Sequence, residues 1–117
     1  MDIENIPATG GFDCPELAFT GMLRGFEIFP NTGSMFVFTD ASPKDATPDN
    51  IINVIGLAKT FDIKISFFTV TNRRCDGKPL DYSKFEVVAA ETGGKIKPVN
   101  LLIFISSLNF EMLFTWN

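Results

Sequence analysis

Few residues in this sequence are placed to do chemistry, and carboxylates come first among them. Asp40 closes the apolar run Met35-Phe36-Val37-Phe38-Thr39, at the point where a strand gives way to a polar loop. A carboxylate there can reach a hard cation, with Thr9, Asp13, Glu16 and Ser42 as further oxygen donors. It can equally bond backbone N–H groups of its own loop, as Asp commonly does in turns. The residues leave both readings open, because no second acid is anchored beside Asp40. Aspartyl phosphotransfer would place another acid two residues on, where this chain has Ser42. Gly10-Gly11 ahead of a helix invites an anion to a helix N-terminus. Yet the glycine patterns of phosphate loops are absent, and Asp13 and Glu16 would repel a phosphate there. The chain has no histidine, which removes Ser-His-Asp and Cys-His catalysis, imidazole bases and His-ligated zinc. The two thiols, Cys14 and Cys75, both fall in loops at the same rim.

The elements that must position these groups can be read from pattern. With 117 residues, 45% of them hydrophobic, the chain can bury roughly two-thirds of its unfolded surface as one globular unit. Its net charge is −4 and its largest basic cluster is Arg73-Arg74, so neither nucleic acid nor an anionic membrane is an expected partner. Thirteen Phe beside one Trp and one Tyr point to a thick, dry interior. Met1 to Gly11 lacks the basic start and apolar run of a signal peptide.

A first helix is expected from Cys14-Pro15-Glu16, with Asp13 or Cys14 as N-cap and Phe19, Met22, Leu23, Phe26 and Phe29 on its apolar face. Pro30 to Gly33 is a turn, and Met35 to Phe38 a strand buried on both faces. Thr47-Pro48-Asp49 reads as N-cap, first helical residue and dipole-complementing acid. The helix that follows should turn Ile51, Ile52, Ile55, Leu57 and Ala58 to the core and stop near Phe61-Asp62. Ile63 to Thr71 is a second buried strand, Tyr82 to Thr92 a third helix ended by Gly93-Gly94, and Lys95 to Val99 a short strand. Such alternation predicts an α/β fold: a parallel sheet with helices on both faces. The apolar tail from Leu101 to Trp116 predicts a terminal helix packed on the sheet; it is short for a membrane span and carries Asn109 and Glu111.

Three segments together resemble a known family. Gly10-Gly11-Phe12-Asp13-Cys14-Pro15-Glu16, Phe36-Val37-Phe38-Thr39-Asp40-Ala41-Ser42-Pro43-Lys44-Asp45, and the helix Phe85 to Thr92 with Gly93-Gly94 are similar to the von Willebrand factor A domain of hemicentin-type matrix proteins. The resemblance covers roughly residues 9–98. It leaves 1–8 as an N-terminal extension and 99–117 as an apolar tail. It implies a Rossmann-like sheet and a non-catalytic, extracellular adhesion or matrix role with protein partners. It also implies a metal-ion-dependent adhesion site for Mg2+ or Ca2+, with Asp40 as its third-loop acid and Asp13 as a second oxygen donor, and a disulfide between Cys14 and Cys75. The Asp-x-Ser-x-Ser strand end of the family is missing, so the domain is expected to be incomplete, lacking its first strands, and the cation weakly held or absent. An incomplete sheet would leave the Met35–Phe38 strand with an open apolar edge, prone to self-association unless the tail covers it. Against this stand an intracellular α/β ligand- or phosphate-binding protein with two free thiols, and a truncated fragment without independent function.

Overall fold

The computed structural model of the chain describes residues 4–7, 17–28, 32–70, 74–75, 78–99 and 112–116. Leu17 precedes α1 (Ala18–Ile28), whose Ala18, Phe19, Met22, Gly25 and Phe26 are buried on one face, at the helical spacing expected. The helix starts later than Pro15 suggests. Its first-turn N–H groups at Phe19 and Thr20 are met by Asp45, 26 residues on from Phe19; Asp13 and Cys14, the N-caps expected from the sequence, lie outside the described residues.

Strand β2 (Gly33–Thr39) follows, then α2 (Pro48–Phe61). The second helix begins as its residues dictate: the Thr47 hydroxyl oxygen accepts from Asn50 N at 3.1 Å, with Pro48 opening the first turn. It ends at Asp62, whose backbone is left-handed at φ 55° and whose N–H returns to the last turn. Val54 and Ala58 are its fully buried residues, with Ile51, Ile55 and Leu57 packed beside them. Ile52, expected in the core, is 65% exposed, because it falls outside the stripe of 51, 54, 55 and 58.

Strand β3 (Ile63–Val70) pairs in parallel with β2 over seven registers, from Gly33 opposite Ile63 to Thr39 opposite Thr69. A small antiparallel pair, β4 (Arg74–Cys75) and β5 (Lys78–Pro79), lies before α3 (Ser83–Thr92). Gly93 takes the left-handed position at φ 79° that ends α3. A Cβ on Gly94 would collide with the Ile65 carbonyl, so only glycine lets the chain leave α3 this close to β3. Strand β6 (Ile96–Val99) then joins β3 in parallel.

Two strands were not legible. Glu4–Pro7 forms β1 and Met112–Trp116 forms β7, and among the described residues the sheet order is β1-β7-β2-β3-β6. The expectation of a helical tail is therefore corrected at 112–116. That segment is a strand antiparallel to β2, and it covers the edge that would otherwise be open. The rest of the tail, 100–111 and 117, lies outside the described residues.

The fold is α/β with three parallel strands, as expected, but its layering differs from the expectation. Met35, Val37, Ile63, Ile65 and Phe67 alternate along β2 and β3 and share one buried cluster with Phe19, Met22 and Phe26 of α1, Val54 and Ala58 of α2, and Phe85, Val88 and Ala89 of α3. The three helices among the described residues thus lie on one face. The other face of the same strands carries Phe36, Phe38 and Phe68, each half-buried, with the rings of Phe38 and Phe68 stacked at 4.6 Å. An uninterrupted apolar run reads as buried on both sides; here the second side is covered in part by the rings themselves.

Candidate functional site

The carboxyl ends of β2 and β3 form the rim where a site is expected in a parallel sheet. Thr39 and Thr69 stand side by side there, both essentially without exposure. The Thr39 hydroxyl donates to Ala41 O at 3.0 Å and accepts from Ala41 N at 3.1 Å, folding the chain back at once after the strand. Asp40 sits inside that reversal, 4% exposed and engaged within the fold. The residue predicted to carry the chemistry is thus held where the sequence placed it.

Three anchors fix the loop around it. The Ser42 hydroxyl oxygen accepts from Asp81 N at 2.7 Å, which ties the loop to the start of α3. The Asp45 carboxylate accepts from Phe19 N at 3.0 Å through one oxygen, and from Thr20 N and the Thr20 hydroxyl, both at 2.6 Å, through the other. Its negative charge also faces the positive end of the α1 dipole. The Asn50 side chain donates to Asp45 O at 2.8 Å, linking the same residue to α2. One loop therefore carries the N-termini of all three helices, and a group on it moves little relative to the sheet.

At the head of α3, Asp81 accepts from Ser83 N at 2.9 Å. That bond, the Ser83 side chain and the Lys84 charge hold its carboxyl below the usual carboxylate value, against a small opposing effect of desolvation.

The structure brings Asp40 and Ser42 to the rim together. Asp13, Thr9, Glu16 and Cys14 lie outside the described residues, as does the side chain of Cys75, whose backbone is in β4. The proposed cation ligand Asp13 and the Cys14–Cys75 pair are therefore not placed. Among the described residues no three His, Cys, Asp or Glu side chains gather to hold a metal. Among them too, no helix is long and apolar enough to cross a membrane. Asp45 and Asp81 were missed as organisers of the rim. Asp81 had a local signal, the Asp-Tyr-Ser spacing of a side-chain turn; the partners of Asp45 lie too far along the chain to be read.

Compared with known proteins, the chain matches the von Willebrand factor A domain family over residues 1–100. The chain belongs to that family. It is 31% identical over 104 residues to von Willebrand factor A domain-containing protein 7 of Homo sapiens, an alignment taking in 82% of this chain and 11% of that protein. The Mus musculus protein of the same name is 30% identical over 102 residues, and that of Rattus norvegicus 29% over 102, each covering 80% of this chain and 11% of the relative. The chain thus spans about a tenth of the length of the curated relatives it matches. No solved structure matches it. These relatives support the A domain and not the hemicentin kind in particular. Von Willebrand A domains are interaction domains that generally bind other proteins and are generally non-catalytic.

Proposed function

We propose that this A domain binds a protein partner at the carboxyl rim of its sheet, through a Mg2+ or Ca2+ site in which Asp40 is the anchoring acid and Asp13 a second oxygen donor. The observation that carries the reading is the setting of Asp40: a buried carboxylate on a loop pinned to three helices, at the end of a parallel strand. The groups near it in the chain, the Thr39 and Ser42 hydroxyls and the carboxylate itself, offer only oxygen, which suits hard cations and not zinc or copper. The adhesion or matrix role of hemicentin-type domains, an extracellular location and a Cys14–Cys75 disulfide go with this reading.

Calorimetric titration of the full chain with Mg2+ and with Ca2+, beside Asp40→Asn, tests it. Binding that falls at least about tenfold in the variant, with its circular dichroism unchanged, is the expected result. Absence of cation binding in the unsubstituted chain would remove the metal and leave a protein-binding domain that works without it. A free-thiol count on the same sample, made without reductant, should read zero; two thiols would remove the disulfide and with it the main reason to place the chain outside the cell.

A further inference from the structure

The outer face of the sheet is the surface that the rim reading does not use. Side chains alternate along β2, β3 and β6, so Phe36, Phe38, Lys64, Phe68 and Lys97 lie on the side away from the three described helices. Phe68 stands opposite Phe38 on one neighbouring strand and opposite Lys97 on the other. The three half-buried rings form an apolar strip over β2 and β3, and exposed lysines flank it. Lys95, also exposed, extends that basic flank; its carbonyl accepts from Phe67 N at 2.8 Å and so holds it against β3.

Charge on this face is one-sided. The chain has 14 acidic residues against 10 basic ones, yet Gly33–Thr39, Ile63–Val70 and Ile96–Val99 contain no Asp or Glu. The ion pairs among the described residues, Arg24–Glu27 and Lys59–Glu91, involve none of the three lysines. Positive charge is thus set beside apolar rings and left unneutralised within the described fold, in a protein whose net charge is −4. A surface of that kind complements a partner that brings apolar side chains and carboxylates together.

The rings and the strands decide the form of that partner. The centroids of Phe38 and Phe68 are 4.6 Å apart with 10° between the planes, close to the spacing of neighbouring strands. Rings so near each other cannot lie flat side by side; they stack across the strands and turn their edges outward. A nucleic-acid base stacks on an open ring face, which this pair does not present, whereas aliphatic side chains pack well on ring edges. The strands are parallel, and parallel sheets are covered by helices. A helix with an apolar stripe also places the residues beside that stripe over the flank of the strip.

We infer that the outer face of β2, β3 and β6 docks an amphipathic α-helix of a partner protein, with its apolar stripe on Phe36, Phe38 and Phe68 and its Asp or Glu residues over Lys64, Lys95 and Lys97. This is helix recognition on an apolar surface, with charge fixing the orientation. The rim takes no part in it, so the inference is independent of the cation site.

The test uses the full chain in EDTA and two fluorescein-labelled model helices of about 18 residues. Both carry the same Leu stripe, flanked by Glu in one and by Lys in the other. Fluorescence anisotropy should show the Glu-flanked helix binding at least about tenfold more tightly than the Lys-flanked one. Replacing Lys64, Lys95 and Lys97 together by Glu, with circular dichroism unchanged, should invert that preference. In the unsubstituted chain the amide resonances of Phe36, Phe38 and Phe68 should shift on binding. Equal binding of the two helices would mean apolar adhesion without recognition and overturns the inference. So does absence of binding, the result of a face already closed within the chain. Self-association through the same resonances that the Glu-flanked helix does not reverse would give the face to a second copy, and a stronger response to oligothymidylate or to phosphatidylserine vesicles would give it to a polyanion; either result also overturns the inference.

Discussion

Phe67 and Phe68 are neighbours in one strand and face opposite ways. Phe67 has no exposed surface; its ring stacks on Phe85 at 4.5 Å, and Phe85 lies within 6.0 Å of Phe19. Phe68 makes a stack of nearly the same geometry, 4.6 Å to Phe38 with 10° between the ring planes, yet it is only half-buried. The local chemistry of the two clusters is alike. What differs is the cover: α1, α2 and α3 close over the first, and no described helix closes over the second. Ring stacking alone therefore does not make a core; removal of the remaining surface from water does.

Phe67→Ala and Phe68→Ala put the largest numbers on that contrast. The first should cost about 3–5 kcal/mol, through lost burial and a cavity that the helices cannot collapse to fill. That is a large part of the total stability of a small domain. The second should cost about 1–2 kcal/mol, because the ring is already partly in water and the void opens to solvent. Urea denaturation of both variants reads the difference directly. Equal losses would mean that the outer face is sealed as tightly as the inner one, and the contrast between them would fail.

Asp45→Ala sharpens the same comparison by loosening the layer that makes the inner face dry. The substitution leaves Phe19 N and Thr20 N without their acceptor at the head of α1 and removes the charge that faces the dipole. A loss of about 1–3 kcal/mol is expected. Thr47→Ala, which removes the local cap of α2, should fall near the lower end of that range. If Asp45→Ala were as mild as an ordinary surface change, α1 would be held by its apolar face alone.

The parts of this fold that could be read in advance are those whose cause is local. Thr47-Pro48-Asp49 starts α2 and Asp62 stops it through groups within four residues of each other, so the helix was legible nearly to its ends. The alternation of β2 and β3 with α2 and α3 predicted the parallel pairing for the same reason. Asp40 was legible as a position, the end of an apolar strand, although its ligands were not. What escaped has causes spread along the chain. A continuous run such as Met112-Leu113-Phe114 carries no period that separates strand from helix, and its state is set by pairing with residues some 75 positions earlier. Asp45 looked like a loop acid because its partners sit 25 and 26 residues away. The same distance effect hid the one-sided helical layer: the Phe residues of β2 and β3 announce that they are apolar, not which of them a helix will cover.

The smallest expected effect is at Asp81, where the helical layer meets the rim through an exposed group. Its carboxyl sits below the 3.8 usual for the side chain, chiefly because it accepts from the Ser83 backbone. A carboxyl whose folded value is lowered adds stability that is fully present above the unfolded value of 3.8 and is lost as pH falls through the lower, folded one. Asp81→Asn should therefore be less stable than the parent above about pH 4, by no more than about 0.5 kcal/mol given the exposure of the group. The two should converge as acid protonates Asp81 in the parent. The bond from Asp81 N to the Ser42 hydroxyl belongs to the backbone and survives the substitution, so the rim loop stays tied to α3 in both. Thermal unfolding of parent and variant between pH 2 and pH 7 checks the sign. A gap that stays constant across that range would show that the Asp81 side-chain turn acts through shape and not through charge, and would remove Asp81 from the electrostatics of the rim.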